Sequence, residues 1–593
     1  MTTVATPMDE WRTIPWRTLE RAVCKLQTRI YRATQRGNVP AVRRLQRLLV
    51  QSRAAKLLAV RRVTQDNRGK RTAGVDGVKA LTPPQRLRLA STLSLPSKAR
   101  PVRRVWIPKP GTEEQRPLGI PTMADRASQA LLKLALEPEW EAKFEPNSYG
   151  FRPGRSAHDA IEAIHNALRW KAKYVLDADI AKCFDRISQE ALLQKLNTTP
   201  TFRRALRAWL KAGVMEGTTL FPTEAGTPQG GVISPLLANV ALHGLETRIT
   251  AAFPEWSRYK PPRERWKPIV VRYADDFVVM HQEKAAIEQA QAIAADWLAG
   301  MGLELKPSKT RITHTLEVDQ GTPGFDFLGF HVRQYPVGKT HSGRNRHGNQ
   351  LGFKTIIKPS TEALKRHAKT MGDLVKAHKA APQAALIRWL NPRIRGWAAY
   401  YRTVAASQAF HAMDHVLYWH LYRWARRRHR KQSRHWVVEK YWHPKQGTWA
   451  FTAPQGEALR RHRATRIHRH VKVQGARSPY DGDWRYWATR LGRHPELPPA
   501  VAWLLREQQG KCAACRLYFK SGDVLEVDHV VPTSRGGRND NANRQLLHGH
   551  CHDRKTAADG SAAARRTDDH SRTAEEPCAL KGACTVLETG GVR

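Results

Sequence analysis

Two adjacent aspartates, Asp275 and Asp276, stand between the apolar runs Ile269-Val270-Val271 and Phe277-Val278-Val279-Met280. β-Rich runs on either side of a polar pair predict a hairpin with the acids at its turn. Neighbouring carboxylates repel each other, a cost that cations remove. A phosphoryl-transfer centre built on divalent metals supplies such cations. A bare Asp-Asp pair is more often a solvated turn, so its company along the chain decides. A second strand-like stretch, Tyr174 to Ile180, places Asp177 and Asp179 on one face by alternation. A two-metal site draws its carboxylates from separate strands, and here Asp179 and Asp275 are the natural bridging pair with Asp276 as auxiliary acid.

The chain has 593 residues and a formal net charge of +48. Self-repulsion on that scale calls for a polyanionic partner, and nucleic acid is the obvious one. There is no apolar run of 18 residues, no lipidation signal and no basic-then-apolar leader, which points to an intracellular chain without membrane attachment. Seven cysteines do not suggest a disulfide scaffold, and three of them cluster at metal-like spacing. Several of the 19 tryptophans lie beside arginines, which suits stacking on single strands as well as core packing.

Apolar residues at helical spacing mark residues 17–60 as helices, followed by a basic, Gly-rich loop at 67–77. Residues 80–340 alternate helical and strand-like segments, as in a mixed α/β domain. Beyond about 345 the pattern turns helical. Asn391-Pro392 reads as an N-cap with proline at the first helical position, followed by the stripe Ile394, Trp397, Ala398 and Tyr401. The stretches 423–434 and 460–472 are dense in Arg, Lys and His, with tryptophans between them. A last boundary lies near Pro495, and a compact Cys/His module follows.

The order of motifs resembles the reverse transcriptase of mobile group II introns, the intron-encoded maturase type. Arg104 to Lys109 with Gln115 to Pro121 is similar to its first fingers block, and Tyr149-Gly150-Phe151-Arg152-Pro153-Gly154-Arg155-Ser156 to its second. Asp179 to Asp185, Gly226 to Pro235, Tyr273 to Asp276, Gly302 to Thr310 and Phe325 to Phe330 are similar to the remaining five. The loop at 67–77 resembles the family's extra N-terminal block. Ile356 to Ser360 and Leu390 to Trp397 resemble its domain X, which serves as thumb and splicing surface.

That resemblance implies roles residue by residue. Asp179, Asp275 and Asp276 would be catalytic, with Asp179 and Asp275 on Mg²⁺. Lys109 and Arg116 would neutralise the incoming triphosphate. Phe184 would pack under the sugar and exclude a 2′-hydroxyl, with a plain core role as the alternative. Gln229 would line the nucleotide pocket, and Lys309 would reach the site or stay solvated. Arg393, Arg395, Arg423, Arg426, Arg427, Arg428 and Arg430 would meet nucleic-acid phosphates.

Cys512-Ala513-Ala514-Cys515 and His548-Gly549-His550-Cys551 supply two ligand pairs with two-residue gaps, a spacing suited to tetrahedral Zn²⁺. Asp528-His529, Asn543 and Cys551 to Lys555 between and after them resemble an HNH endonuclease, a ββα unit holding one Mg²⁺ or similar cation. His529 would be the general base, Asn543 would orient its loop, and Asp528 with His552 would hold the catalytic metal. His548 stands where that family usually has a third zinc cysteine. The shell is then Cys512, Cys515, His548 and Cys551, with His550 as the other candidate for the fourth place. Cys578 and Cys584 resemble the family's tail.

The expected architecture is multidomain: a helical, basic extension over 1–80, an α/β right-hand polymerase with fingers and palm over 81–340, and an α-helical thumb/maturase domain over 341–455. A DNA-binding region over 456–495 and a small zinc-stabilised ββα nuclease with its tail over 496–593 complete it. The expected partners are group II intron RNA, target DNA and deoxynucleoside triphosphates, in a bacterial cytoplasmic ribonucleoprotein associated with the nucleoid. Retrohoming would combine splicing help, DNA nicking and target-primed reverse transcription. Two rivals are a splicing-only maturase with a relic polymerase and a reverse transcriptase of another bacterial retroelement.

Overall fold

The computed structural model of the chain describes residues 11, 13–108, 115–253, 267–319, 321–345, 347–445 and 447–559. Lys109, Cys578 and Cys584 lie outside them. Three helices open the fold, Trp16–Gln35, Val39–Gln51 and Arg53–Arg61. Asn38 and Ser52 cap the second and third by accepting backbone N–H groups of Ala41 and Ala55. All three helices pack on Met123–Lys143, which is buried along almost its whole length. Buried polar groups on this seam are paired: Gln27 donates to the Leu134 carbonyl at 3.0 Å, and Glu139 accepts from Gln46 at 2.6 Å and Arg43 at 2.9 Å. One hydrophobic core therefore runs from Trp11 to Leu303, across the junction expected at residue 80.

The strands between are β1 (Val102–Pro108), β2 (Gln115–Ile120), β3 (Tyr174–Asp179), β4 (Val214–Glu216), β5 (Thr219–Phe221), β6 (Ile269–Tyr273), β7 (Asp276–His281) and β8 (Arg311–His314). They form two four-stranded sheets, in the orders β2-β1-β4-β5 and β6-β7-β3-β8. The second is antiparallel throughout. Three further strands, β9 (Phe325–Phe327), β10 (Phe330–Pro336) and β11 (Phe353–Pro359), make a separate antiparallel sheet.

Four helices follow, Thr361–Ala377, Gln383–Tyr401, Ser407–Arg428 and Arg434–Tyr441. They enclose their own core around Leu386, Leu390, Leu417 and Trp424, with the hairpin β12 (Trp442–Lys445) and β13 (Thr448–Phe451) against it. The N-cap reading of Asn391-Pro392 is corrected here: the helix begins eight residues earlier and passes through Pro392. Leu386, Ile387, Leu390, Ile394 and Ala398 are all buried, so tertiary packing on both sides holds the helix past the missing proline N–H. Asn391 instead ties down the segment beyond β13, donating to the Ala458 carbonyl at 3.1 Å and accepting from Arg460 N–H at 2.7 Å.

Residues 466–492 then fold back on the helix Ala157–Leu168, where the buried Asp159 accepts from His470, Val473 N–H and Arg490. The last unit has its own core around Leu504, Leu505, Phe519 and Leu546. It pairs β14 (Leu525–His529) with β15 (Arg544–His548) and closes with the helix Gly549–Ala558, a ββα arrangement. Among the described residues no helix is long and apolar enough to cross a membrane.

Candidate active sites

The hairpin read from Asp275-Asp276 is present: β6 and β7 pair from Ile269↔Met280 to Tyr273↔Asp276, leaving Ala274 and Asp275 as the turn. Ala274 takes a left-handed φ of 57°, which is uncommon for a residue with a Cβ. Two features hold it there. Gly150 presses against the turn, where an added Cβ would lie 2.3 Å from Ala274 N. Arg272 is fully buried and donates to the Ala274 carbonyl at 3.0 Å, Asn239 Oδ1 at 3.2 Å and Ser148 Oγ at 2.7 Å. Neither Arg272 nor Asn239 was singled out in the sequence. The one available signal was a charge inside an apolar strand.

β3 brings Asp179 directly opposite Asp276. The three acids thus meet at one end of the sheet, and Lys309 closes the group with Nζ 2.9 Å from Asp179 Oδ2. Asp177, two residues earlier, pairs with Arg311 at 3.3 Å. Asp177, Asp179, Asp276, Lys309 and Arg311 line an open cleft of about 340 Å³ with Asp326, and Asp275 stands on the adjoining turn. Burial, then the charges of Asp275 and Asp179, push Asp276 up to about 8. Burial also raises Asp275, with Asp179 adding to the shift and Arg116 and Lys309 opposing it. Carboxylates crowded to this degree form a site that favours bound cations. The effect of Arg116 on Asp275 places β2 within electrostatic reach of the cleft.

Gln229 links β2 to the short helix Cys183–Arg186 after β3, its carbonyl accepting from Gly119 N–H at 2.6 Å and its Nε2 reaching Asp185 Oδ1 at 3.5 Å. Phe184 is half-buried and meets Phe151 edge-on, with ring centroids 5.9 Å apart.

In the C-terminal unit the donor atoms of Cys512, Cys515, His548 and Cys551 all lie within 4.8 Å of one another, and all four residues are buried. His548 turns Nδ1 toward Cys515 Sγ at 3.3 Å and Nε2 toward Asp523 at 3.3 Å. A carboxylate on the second ring nitrogen is the usual way a metal-binding histidine is oriented. Although burial pushes the Asp523 carboxyl up, the His548 hydrogen bond and the Lys520 charge hold it at about 2. The donor set fits structural zinc. His550 stands outside the group, its ring stacked 5.3 Å from His548 and facing Trp16 and Glu20 of the first helix.

Asp528, His552 and Lys555 converge on the opposite side of the ββα unit. Asp528 lies 3.8 Å from His552 Nε2 and 3.0 Å from Lys555 Nζ. Lys555 also donates to the His529 carbonyl at 2.9 Å, a contact the sequence motif did not reveal. Asn543 staples the loop after His529, accepting from Val531 N–H at 2.8 Å and donating to the Val531 and Arg538 carbonyls at 2.9 and 2.8 Å. Gly537 makes room for this, since an added Cβ would sit 2.0 Å from the Val531 carbonyl oxygen. His529 itself is half-exposed, with Nε2 3.2 Å from Asn539 Oδ1.

Known families match each of these units in order. The N-terminal domain of reverse transcriptase matches residues 11–93, and reverse transcriptase (RNA-dependent DNA polymerase) matches 107–332. The maturase-specific domain of group II introns matches 364–442, and HNH endonuclease matches 512–558. Protein YkfC of Escherichia coli is 33% identical over 360 residues, which is 55% of this chain and 90% of YkfC. The group II intron-encoded protein LtrA of Lactococcus lactis is 38% identical over 290 residues, 40% of this chain and 47% of LtrA. An uncharacterized 91 kDa protein in the cob intron of Schizosaccharomyces pombe is 28% identical over 371 residues, 51% of this chain and 44% of that protein. The match thus spans most of YkfC and about half of the other two. The chain belongs to the group II intron reverse transcriptase/maturase family. It joins an RNA-directed DNA polymerase domain, a maturase domain and an HNH endonuclease domain.

Within the maturase domain of this family member, Arg393 and Arg395 are exposed beside the buried Ile394, as the stripe required. Arg423, Arg427 and Arg430 are exposed too. Arg426 and Arg428 have internal work. Arg426 donates to the Gln432 carbonyl at 2.7 Å. Arg428 lies 3.9 Å over Trp424 and donates to the Lys379 and Ala381 carbonyls.

Proposed function

We propose that this chain binds its parent intron RNA, assists its splicing, nicks target DNA with the HNH unit and copies the RNA from the nicked end. One observation carries the reading: a carboxylate-lined cleft at Asp179 and Asp276 and a ββα nuclease constellation stand on one chain, with a maturase domain between them. In right-hand terms, β2-β1-β4-β5 belongs to the fingers, the sheet carrying Asp179, Asp275 and Asp276 to the palm, and the helices after Thr361 to the thumb. Asp179 and Asp275, with Asp276 as auxiliary acid, would hold Mg²⁺, which when bound acidifies a primer hydroxyl and offsets the charge on departing pyrophosphate.

The protein's own groups do the rest of the polymerase work. Lys109 and Arg116 meet the triphosphate charge, and Lys309, paired with Asp179 at 2.9 Å, would share that carboxylate with a bound cation. Gln229 fixes the pocket floor against β2, and Phe184 sets the space beside the sugar. In the nuclease, Asp528 and His552 would hold the catalytic cation. His529 takes a proton from the attacking water, and Asn543 keeps its loop in register. Cys512, Cys515, His548 and Cys551 hold zinc as a structural element. Exposed Arg393, Arg395, Arg423, Arg427 and Arg430 meet RNA phosphates, and residues 456–495 contact DNA. A cytoplasmic, nucleoid-associated ribonucleoprotein goes with this reading.

Asp179→Ala or Asp275→Ala should abolish cDNA synthesis while RNA binding and splicing help persist, because affinity comes from many dispersed cations. Primer extension, RNA binding and splicing assays on the same folded variants test this. Loss of splicing help in either variant would refute the separation.

A further inference from the structure

At the end of the palm sheet away from the aspartates lies a second cavity, of about 300 Å³. Asp179↔Asp276 marks one end of the β3–β7 pair and Tyr174↔His281 the other. Five residues at about 3.3 Å each separate them, roughly 17 Å, so the cavity is distinct from the catalytic cleft. Its walls are largely apolar, with Trp170, Ile269 and Met280 among them, and Lys171, Lys173 and Lys267 stand in the same lining.

Lys173 is the informative residue. It is only 9% exposed, and no carboxylate or hydrogen-bond partner of its ammonium is found among the described residues. Burial, with the like charge of Lys171, pushes it down to about 8. A buried cation without a counter-ion is costly, and an anion entering the cavity would remove that cost. The apolar walls ask for more than an anion. A tryptophan beside aliphatic side chains suits the flat face of a base, and Arg169, 4.3 Å over the Trp170 ring, adds positive charge beside that tryptophan. Phosphate on lysines and base on an aromatic wall together describe a nucleotide out of its stack, as in loops and bulges of folded RNA.

We infer that this cavity seats one unpaired nucleotide of the bound RNA, its phosphate on Lys171, Lys173 and Lys267 and its base against Trp170. The inference rests on the RNA-binding function proposed above and adds a discrete anchor on the palm. A free nucleotide shares the same chemistry, and the test separates the two sources.

An in vitro transcript of the RNA that co-purifies with the chain is titrated against the full-length protein over a series of salt concentrations, for wild type, Lys173→Met and Trp170→Leu. Lys173→Met should weaken binding at least fivefold and flatten the log–log salt slope by about 0.7, the share of one single-strand phosphate. Trp170→Leu should weaken binding to a similar degree with the slope unchanged, because stacking carries no charge. Primer extension on a homopolymer template and the melting temperature should stay at wild-type values in both. Wild-type affinity and slope in both variants would overturn the inference, and if Lys173→Met fails to fold, Trp170→Leu alone decides. Binding of AMP or UMP that Lys173→Met abolishes, with transcript affinity untouched, would overturn the RNA assignment in favour of a free nucleotide. A wild-type protein that does not bind the transcript at all would remove the RNA-binding reading itself, a result distinct from these.

Discussion

Single residues divide into those whose chemistry shows in the local sequence and those whose role depends on distant partners. Asp179, Asp275 and Asp276 belong to the first kind, because strand alternation and a two-residue turn mark them in the sequence, and the β3–β7 pairing then sets Asp179 opposite Asp276. Arg272 belongs to the second: its partners Asn239 and Ser148 lie 33 and 124 residues away. Phe184 sits between the two kinds. Its edge contact with Phe151 leaves it half-buried, so the ring can both pack and face a nucleotide. Phe184→Ala should raise ribonucleotide incorporation relative to deoxynucleotide incorporation about tenfold or more, equivalent to roughly 1.4 kcal/mol of discrimination. An unchanged ratio in an active variant would leave only the packing role. The choice between His548 and His550 was open in the sequence, since both sit at ligand-like spacing. The geometry favours His548, which alone of the two lies among the cysteines. His548→Ala should therefore lose zinc and protease resistance, while His550→Ala should keep stoichiometric zinc. Metal analysis of the two purified variants distinguishes them, and retained zinc in His548→Ala would sink the assignment.

Elements were legible where one apolar face dominates, as in the three N-terminal helices, and misread where a local signal competes with packing. Asn391-Pro392 carries a helix-start signal, yet the buried positions on both sides of it hold one continuous helix. Residues 466–492 gave no motif, because they are fixed by dispersed contacts to elements more than 300 residues earlier, polar ones to Asp159 and Glu137 and apolar ones through Val473 and Trp487. The segment 147–150, where a motif does begin at Tyr149, is likewise held from a distance. It pairs with β6 through Asn147 and Tyr149 backbone groups, and Asn147 donates to Glu246 at 2.9 Å. Burial, ahead of every other influence, pushes Glu246 up to about 7. The folded value lies above the ordinary carboxylate value, so the folded state binds more protons between the two. That stability is fully present below about 4.5, the unfolded value, and is lost as pH rises through about 7. Glu246→Gln removes the charge and keeps an oxygen to accept from Asn147. The variant should gain in melting temperature over wild type at pH 8 and lose that advantage at pH 4.5. A pH-independent difference would show that Glu246 is not the titrating group.

At the scale of the whole molecule, the N-terminal helices meet the C-terminal nuclease unit. The nuclease unit rests on the N-terminal helices: His550 faces Trp16 and Glu20, Lys520 contacts Cys24, and Asp553 accepts from Gln65 at 2.7 Å. Each unit nevertheless has its own core, the nuclease around Leu504 and Phe519 and the polymerase from Trp11 to Leu303. Removing residues 496–593 should therefore leave primer extension intact while abolishing DNA nicking. Zinc chelation in the full chain should likewise melt the nuclease first, as a separate calorimetric transition below that of the polymerase. A single transition, or a truncated chain without polymerase activity, would show the two cores to be one cooperative unit. The meeting of these two units also has a temporal side. A ribosome adds roughly 5–20 residues per second, so the helix carrying Trp16, Glu20 and Cys24 emerges roughly 25–100 s before the zinc ligands do. The landing surface can be finished while the nuclease is still unmade, and the nascent chain can hold a working polymerase before it is able to cut DNA.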